Sequence, residues 1–240
     1  GKVFKGQTVR AMAYDPERDW QSQIVTNSYF VDKNIFQRYP DLPVISLTAD
    51  YTVLFETDTG ILNTGLDGDP FSHLDRRVPA NIEWIEPDGS TGFNGLYEIK
   101  LHGFTSVANP QKGFHVYAEP WLGAETIDYP LFQDAASKAN QLESVDRFIL
   151  RAWGTAMEWD VFFSDAYHQT LMAESGLDIQ GYQPAILFIN GEEITDRHLH
   201  HPVHMNGVNL VDPVEPQGGT SVADTIQNNL DAVVAQAHQH

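Results

Sequence analysis

Residues 197–205 read RHLHHPVHM, which puts His198, His200, His201 and His204 within seven positions and Met205 beside them. Imidazole with a thioether suits copper, and imidazole alone suits zinc or nickel. In an extended segment His198 and His200 share a face, and a bend at Pro202 returns His204 toward them. The competing reading is a solvated His-rich loop, because a short tract is compositional evidence only. A second group is built from oxygen. Glu56 and Asp58 in ETDTG, and Asp67 and Asp69 in DGD, stand two apart in Gly-bearing loops, a spacing that suits calcium. The closing Glu of an EF-hand is missing, which favours turns with surface carboxylates. His102 and His115 lie on neighbouring strand candidates and meet if those strands adjoin; strand histidines are more often packed or hydrogen-bonded than ligating. Asp165 and His168 share a helix face beside Ser164, but their order matches no nucleophile elbow. A helix cap at Ser164 or Asp160 is the simpler reading.

These groups need a scaffold, and the sequence predicts one rich in strands. Thr8 to Tyr14 alternates, with Val9, Ala11 and Ala13 set against Arg10, Met12 and Tyr14; Ser22 to Val31 is β-branched and aromatic, and Asp15-Pro16 opens the turn between them. Two strands are marginal alone, so this pair must complete a sheet or pack on the chain beyond it. Further strands are expected at 42–48, 78–86, 95–102 and 113–119, with a turn at Pro87-Asp88-Gly89-Ser90. The apolar runs 147–152 and 185–189 read as short buried strands. A helix is expected over 160–175, with Val161, Phe162, Tyr167, Leu171 and Met172 on one side and Gly176 stopping it. Another is expected after Ser221, on Val222, Ile226, Leu230, Val233 and Ala237. Segments 56–76, 120–141 and 195–220 show no period and read as loops, and Trp121, Trp153 and Trp159 as core or groove-lining. The fold class is α+β: a strand-rich mixed sheet with few helices.

Charge narrows the partners. The 33 acidic against 14 basic side chains give a formal net charge of -19, which repels phosphate backbones and anionic headgroups. Nucleic acid is therefore excluded as an expected partner, while divalent cations and basic surfaces are favoured. The absence of cysteine removes disulfides, thiolate metal sites and Cys nucleophiles. No apolar run reaches the roughly 18 residues that span a bilayer. A start at Gly1 is expected either after removal of a signal peptide or within a longer chain.

Six segments then come in an order that resembles one family. They are LPVISLTADYTVLFETDTGIL (42–62), RRVPANIEWIEPDGSTGF (76–93), YEIKLHGFTS (97–106), PQKGFHVYAE (110–119), FILRAWG (148–154) and FSDAYHQTLMAESGLDIQGYQPAILFINGE (163–192). Together they resemble the amino-terminal half of CotH-like spore-coat kinase domains. The segment VRAMAYDPERDWQSQIVTNSYFVD before them is similar to the last two strands of chitobiase-carboxyl-terminal-type sandwich modules. The resemblance implies the amino-terminal part of an atypical kinase fold, ATP with magnesium as the cofactors of a complete kinase, Lys112 as the lysine that meets the nucleotide phosphates, and Arg151 in the family's Arg-containing strand. From Glu193 onward the family pattern is replaced by EITDRHLHHPVHM, and the aspartates that hold metal and act as base are not among the matches.

The expected organisation is therefore a piece of a β-sandwich module over 1–35, a CotH-like region over 40–195, and a divergent His-rich loop with a terminal helix over 196–240. The expected function is that of a secreted or cell-surface bacterial protein, non-catalytic, structural in a surface or extracellular matrix, and partnered with copies of itself or a larger assembly. One alternative is the amino-terminal part of an ATP-dependent secretory kinase. Another is an extracellular copper- or zinc-binding protein that uses His198 to His204.

Overall fold

A computed structural model describes residues 6–30, 37, 40–56, 58–62, 73–108, 112–132, 141–152, 164–177, 179–190, 192–198, 201–207, 220 and 228, with backbone only for 192–198 and 201–207. The fold is α+β and strand-rich. A mixed six-stranded sheet runs in the order β10-β5-β6-β7-β8-β9. Its strands are β5 (Val44–Thr48), β6 (Val78–Ile85), β7 (Thr91–His102), β8 (Gly113–Tyr117), β9 (Arg147–Leu150) and β10 (Ile186–Ile189). β10 pairs parallel with β5, whereas β7–β8 and β8–β9 are antiparallel. Among the described residues there are two α-helices, α1 (Tyr51–Leu54) and α2 (Ser164–Met172), and no helix long and apolar enough to cross a membrane.

The chain divides into two compact units, one of Gly1–Thr48, Glu83–Thr91 and Ile186–His240, the other of Ala49–Ile82 and Gly92–Ala185. In the first, β1 (Gln7–Ala11) and β4 (Val25–Tyr29) form an antiparallel pair, and β2 (Tyr14–Asp15) and β3 (Trp20–Gln21) a short one between them. A buried polar seam joins the β1–β4 pair to β5 and the end of β6. Thr8, Thr26, Ser46, Thr48 and Glu83 are all at most 5% or so exposed. The Ser28 backbone N–H donates to Glu83 Oε2 at 2.7 Å, the Ser28 hydroxyl to Ser46 Oγ at 2.8 Å, and Thr8 Oγ1 lies 3.3 Å from Thr48 Oγ1. Phe30 packs against Phe188 with ring centroids 4.8 Å apart. The predicted alternation of β1 therefore points the other way from its apolar set: Thr8 is buried and Ala11 exposed. Hydroxyls can be buried without loss when each finds a partner, and here they do.

The turn at residues 87–90 forms as the sequence predicts. Gly89 takes φ 87°, a left-handed value that glycine adopts freely. Glu86 N–H donates to the Ser90 carbonyl, and Asp88 accepts from both the N–H and the hydroxyl of Ser90. Within 195–220, expected as loop, the chain instead forms a hairpin of β11 (Glu192–His198) and β12 (His201–Gly207). Its sequence hides it, since charged residues and Pro202 give no strand period.

In the second unit the core lies on one face of β7–β8–β9. Tyr97, Ile99, Leu101, Phe114, Val116 and Phe148 are buried, each large aliphatic or aromatic side chain contributing about 1.5–3 kcal/mol. The alternate residues point away from it, as a period of two demands. The apolar runs expected as buried strands are sheet edges: Ile149 on β9 is 45% exposed, and β10 is half-buried throughout. α2 begins at Ser164 and is stopped at Gly176, which takes φ 77°. Its predicted apolar side is exposed at Tyr167, Leu171 and Met172. Trp121, expected as core or groove-lining, is exposed and so not core; Trp84 is buried, its indole N–H donating to Glu86. The expected terminal helix, with Trp153, Trp159, Val161 and Phe162, lies outside the described residues, apart from Asn228.

Candidate functional site

Chemistry-bearing side chains gather on the outward face of β7 and β8. The register sets Glu98 opposite Tyr117, Lys100 opposite His115 and His102 opposite Gly113. His102 and His115 are thus diagonal neighbours, a separation that rings can bridge. At Gly113, opposite His102, a Cβ would lie 3.1 Å from the Leu150 carbonyl oxygen and 3.4 Å from His102 Cβ. His102 Nδ1 lies 3.0 Å from Nε2 of His115, with ring centroids 4.7 Å apart. Tyr117 stacks on the other side of His115 at 5.7 Å.

Four ion pairs flank the histidines. Arg77 reaches Glu98 at 3.2 Å and Glu119 at 2.8 Å and lies 4.0 Å above the Tyr117 ring. Lys100 pairs with Asp75 at 3.3 Å, and Arg151 pairs with Asp165. The hydrogen bond to Glu98 raises the Arg77 guanidinium further above its ordinary range. Burial, then the charge of Arg151, holds His102 below its ordinary value. Burial holds His115 below as well, reinforced by His102, Lys100, Arg147 and Arg77. Both rings are therefore biased toward the neutral form, the form that ligates or accepts a proton.

Of the two positions singled out by the family resemblance, Lys112 immediately precedes β8. Its ammonium donates to the backbone carbonyl of Val107, and burial lowers its pKa. Arg151 comes directly after β9 and is held by Asp165. Each thus has a local partner of its own. The histidine tract lies on the β11–β12 hairpin. His198 stands opposite His201 in register and His204 opposite Thr195, while His200 lies outside the described residues. Pro202 is inside β12, opposite Arg197, rather than at a bend.

Glu56 and Asp58 belong to a tight turn after α1, whereas Asp67 and Asp69 lie outside the described residues. In that turn the Glu56 carbonyl accepts from Gly60 N–H, the Thr52 carbonyl from the Thr59 hydroxyl, and the Thr59 carbonyl from Arg76. Among the described residues, no three His, Cys, Asp or Glu side chains converge in a way that could hold a metal ion. Sequence reasoning missed the buried carboxylate Glu83 and the Arg77 network. Arg77 joins residues 21 and 42 positions away in the chain, a juxtaposition with no local signal. Comparison with family models, curated proteins and solved structures finds no match to this chain.

Proposed function

We propose that this chain is a CotH-like domain that serves as a structural and assembly element of an extracellular surface or matrix, without phosphotransfer of its own. The observation that carries the reading is the correspondence between sequence and sheet. The six segments that resemble the family supply β5, β6, β7, β8, β9 and β10, one complete sheet, together with α1 and α2. The non-catalytic half is supported by the two positions the resemblance singles out. Lys112 donates to a backbone carbonyl and Arg151 is tied to Asp165, whereas a nucleotide-binding cation must be free to meet phosphate. The assembly half is supported by the amino-terminal strands, where Trp20, Ile24, Val25 and Tyr29 are each about half exposed. Contiguous exposed apolar side chains of this size mark association surfaces.

The test joins sedimentation of the full chain over a wide concentration range with a phosphotransfer assay in magnesium and ATP. Reversible association without phosphotransfer is expected. A strict monomer at the highest soluble concentration removes the assembly role, and transfer to any acceptor restores the kinase alternative. A second reading, an extracellular copper- or zinc-binding protein, draws support from the hairpin register that sets His198 opposite His201. Metal analysis of untagged protein from its source decides it, and a chain without metal under copper or zinc excess removes it.

A further inference from the structure

We infer that His102 and His115 form a two-histidine chelate for a divalent ion of tetragonal preference, copper(II) above all, with water completing the coordination. The inference concerns the second unit alone and stands independently of the histidine tract at 198–204 and of the family resemblance.

The geometry of the pair carries it. Two ring nitrogens bound to one ion at about 2.0–2.1 Å and at right angles are separated by about 2.9 Å; at the tetrahedral angle the separation is about 3.3 Å. The observed 3.0 Å lies beside the right-angle value. Ring orientation agrees. In a straight N–H···N bond the two ring centres lie on the line through both nitrogens and stand about 5.3 Å apart, from ring size and ordinary hydrogen-bond length. The observed centroids are 4.7 Å apart with the planes 75° from parallel, shorter than in the straight bond and close to the about 4.5 Å expected for two rings bound at right angles to one ion.

The surroundings suit a cation better than the count of nearby positive charges suggests. Arg77, Lys100 and Arg151 are each tied to carboxylates, namely Glu98 and Glu119, Asp75, and Asp165. Arg147 is the remaining cation facing His115. Tyr117 stacks on the His115 ring, so that donor is held in place before any ion arrives. Binding needs no net proton release from two neutral rings. The proton shared between Nδ1 and Nε2 leaves that position, and its ring carries one on the opposite nitrogen instead.

The test uses the full chain with His198, His200, His201 and His204 all changed to Asn, titrated with copper(II) alone. One equivalent is expected to bind with a tetragonal electron paramagnetic resonance signal showing two nitrogen couplings. His102→Gln and His115→Gln are each expected to weaken that binding at least tenfold, and the double change to weaken it little further, because loss of either donor destroys the chelate. Should a His102 or His115 variant not fold, the chain with the four tract histidines changed to Asn decides: substoichiometric copper(II) must broaden the ring signals of His102 and His115 together. Affinity unchanged by His102→Gln, or rings that fail to broaden together, overturns the inference.

Discussion

Replacing Glu83 by Ala removes the acceptor of a buried backbone N–H. Glu83 is 4% exposed and receives the Ser28 N–H at 2.7 Å, the link between β4 and β6 in the polar seam. An orphaned buried donor costs about 1–3 kcal/mol. For a chain of this size each kcal/mol moves the melting temperature by about 2–4 °C, so Glu83→Ala is expected to lower it by about 2–12 °C. Glu83→Gln keeps an acceptor oxygen in place and relieves the burial of a charge, so its cost is expected to stay within about 1 kcal/mol. The pH dependence separates the two effects. Burial raises the Glu83 carboxyl above its ordinary 4.5, the Ser28 bond opposing this only in part. A raised native pKa contributes stability that is fully present below the unfolded value and is lost as pH rises through the native one. Relative to Glu83→Gln, the unaltered chain should therefore gain stability as pH falls from neutral toward 4.5. Urea unfolding of the three proteins at several pH values is the assay. A Glu83→Ala variant as stable as the unaltered chain, or a Gln variant as damaged as Ala, refutes the reasoning.

Three further outcomes concern the second unit. Arg77 is 41% exposed at its side chain, so its pairs are screened; Arg77→Lys loses the planar guanidinium that lies over Tyr117 while keeping the charge, and is expected to cost about 0.2–1 kcal/mol, less at high salt. Urea unfolding at two ionic strengths measures it, and a salt-independent loss counts against an ionic origin. His102 and His115 have native pKa values below the ordinary 6.5, so their contribution is present above 6.5 and lost as pH falls through the native values. Combined His102→Gln and His115→Gln changes should flatten stability against pH in that window, and an unchanged slope contradicts the assignment. At Gly60 a Cβ would stand 2.5 Å from the Leu54 carbonyl oxygen and 2.7 Å from Glu56 N. These are backbone atoms that cannot step aside, so Gly60→Ala is expected to destabilise by about 1–3 kcal/mol in the same assay. A neutral result means the turn after α1 relaxes.

The parts of the fold legible in the sequence are those where local chemistry and tertiary demand agree. Pro87-Asp88-Gly89-Ser90 carries its own turn geometry, and the flanking runs become β6 and β7. Gly176, at φ 77°, closes the 3-10 turn that follows α2, the left-handed cap that glycine adopts freely. The meeting of His102 with His115 was readable as a condition, that their strands adjoin, and they do. What stayed hidden depends on contacts remote in sequence. The seam reverses the apparent face of β1 because Thr8 finds Thr48 forty positions away. Ile149 and β10 look like core but lie on sheet edges, since strand order cannot be read from hydrophobicity. The hairpin of residues 192–207 lacks an apolar period and pairs through its backbone.

The proposed role rests on association without catalysis, and sedimentation velocity of the full chain against concentration tests it most directly. A reversible rise in average mass is expected, reduced when Val25 and Tyr29, 59% and 52% exposed, are both changed to Lys. A single monomeric boundary at every concentration, indifferent to those changes, contradicts it.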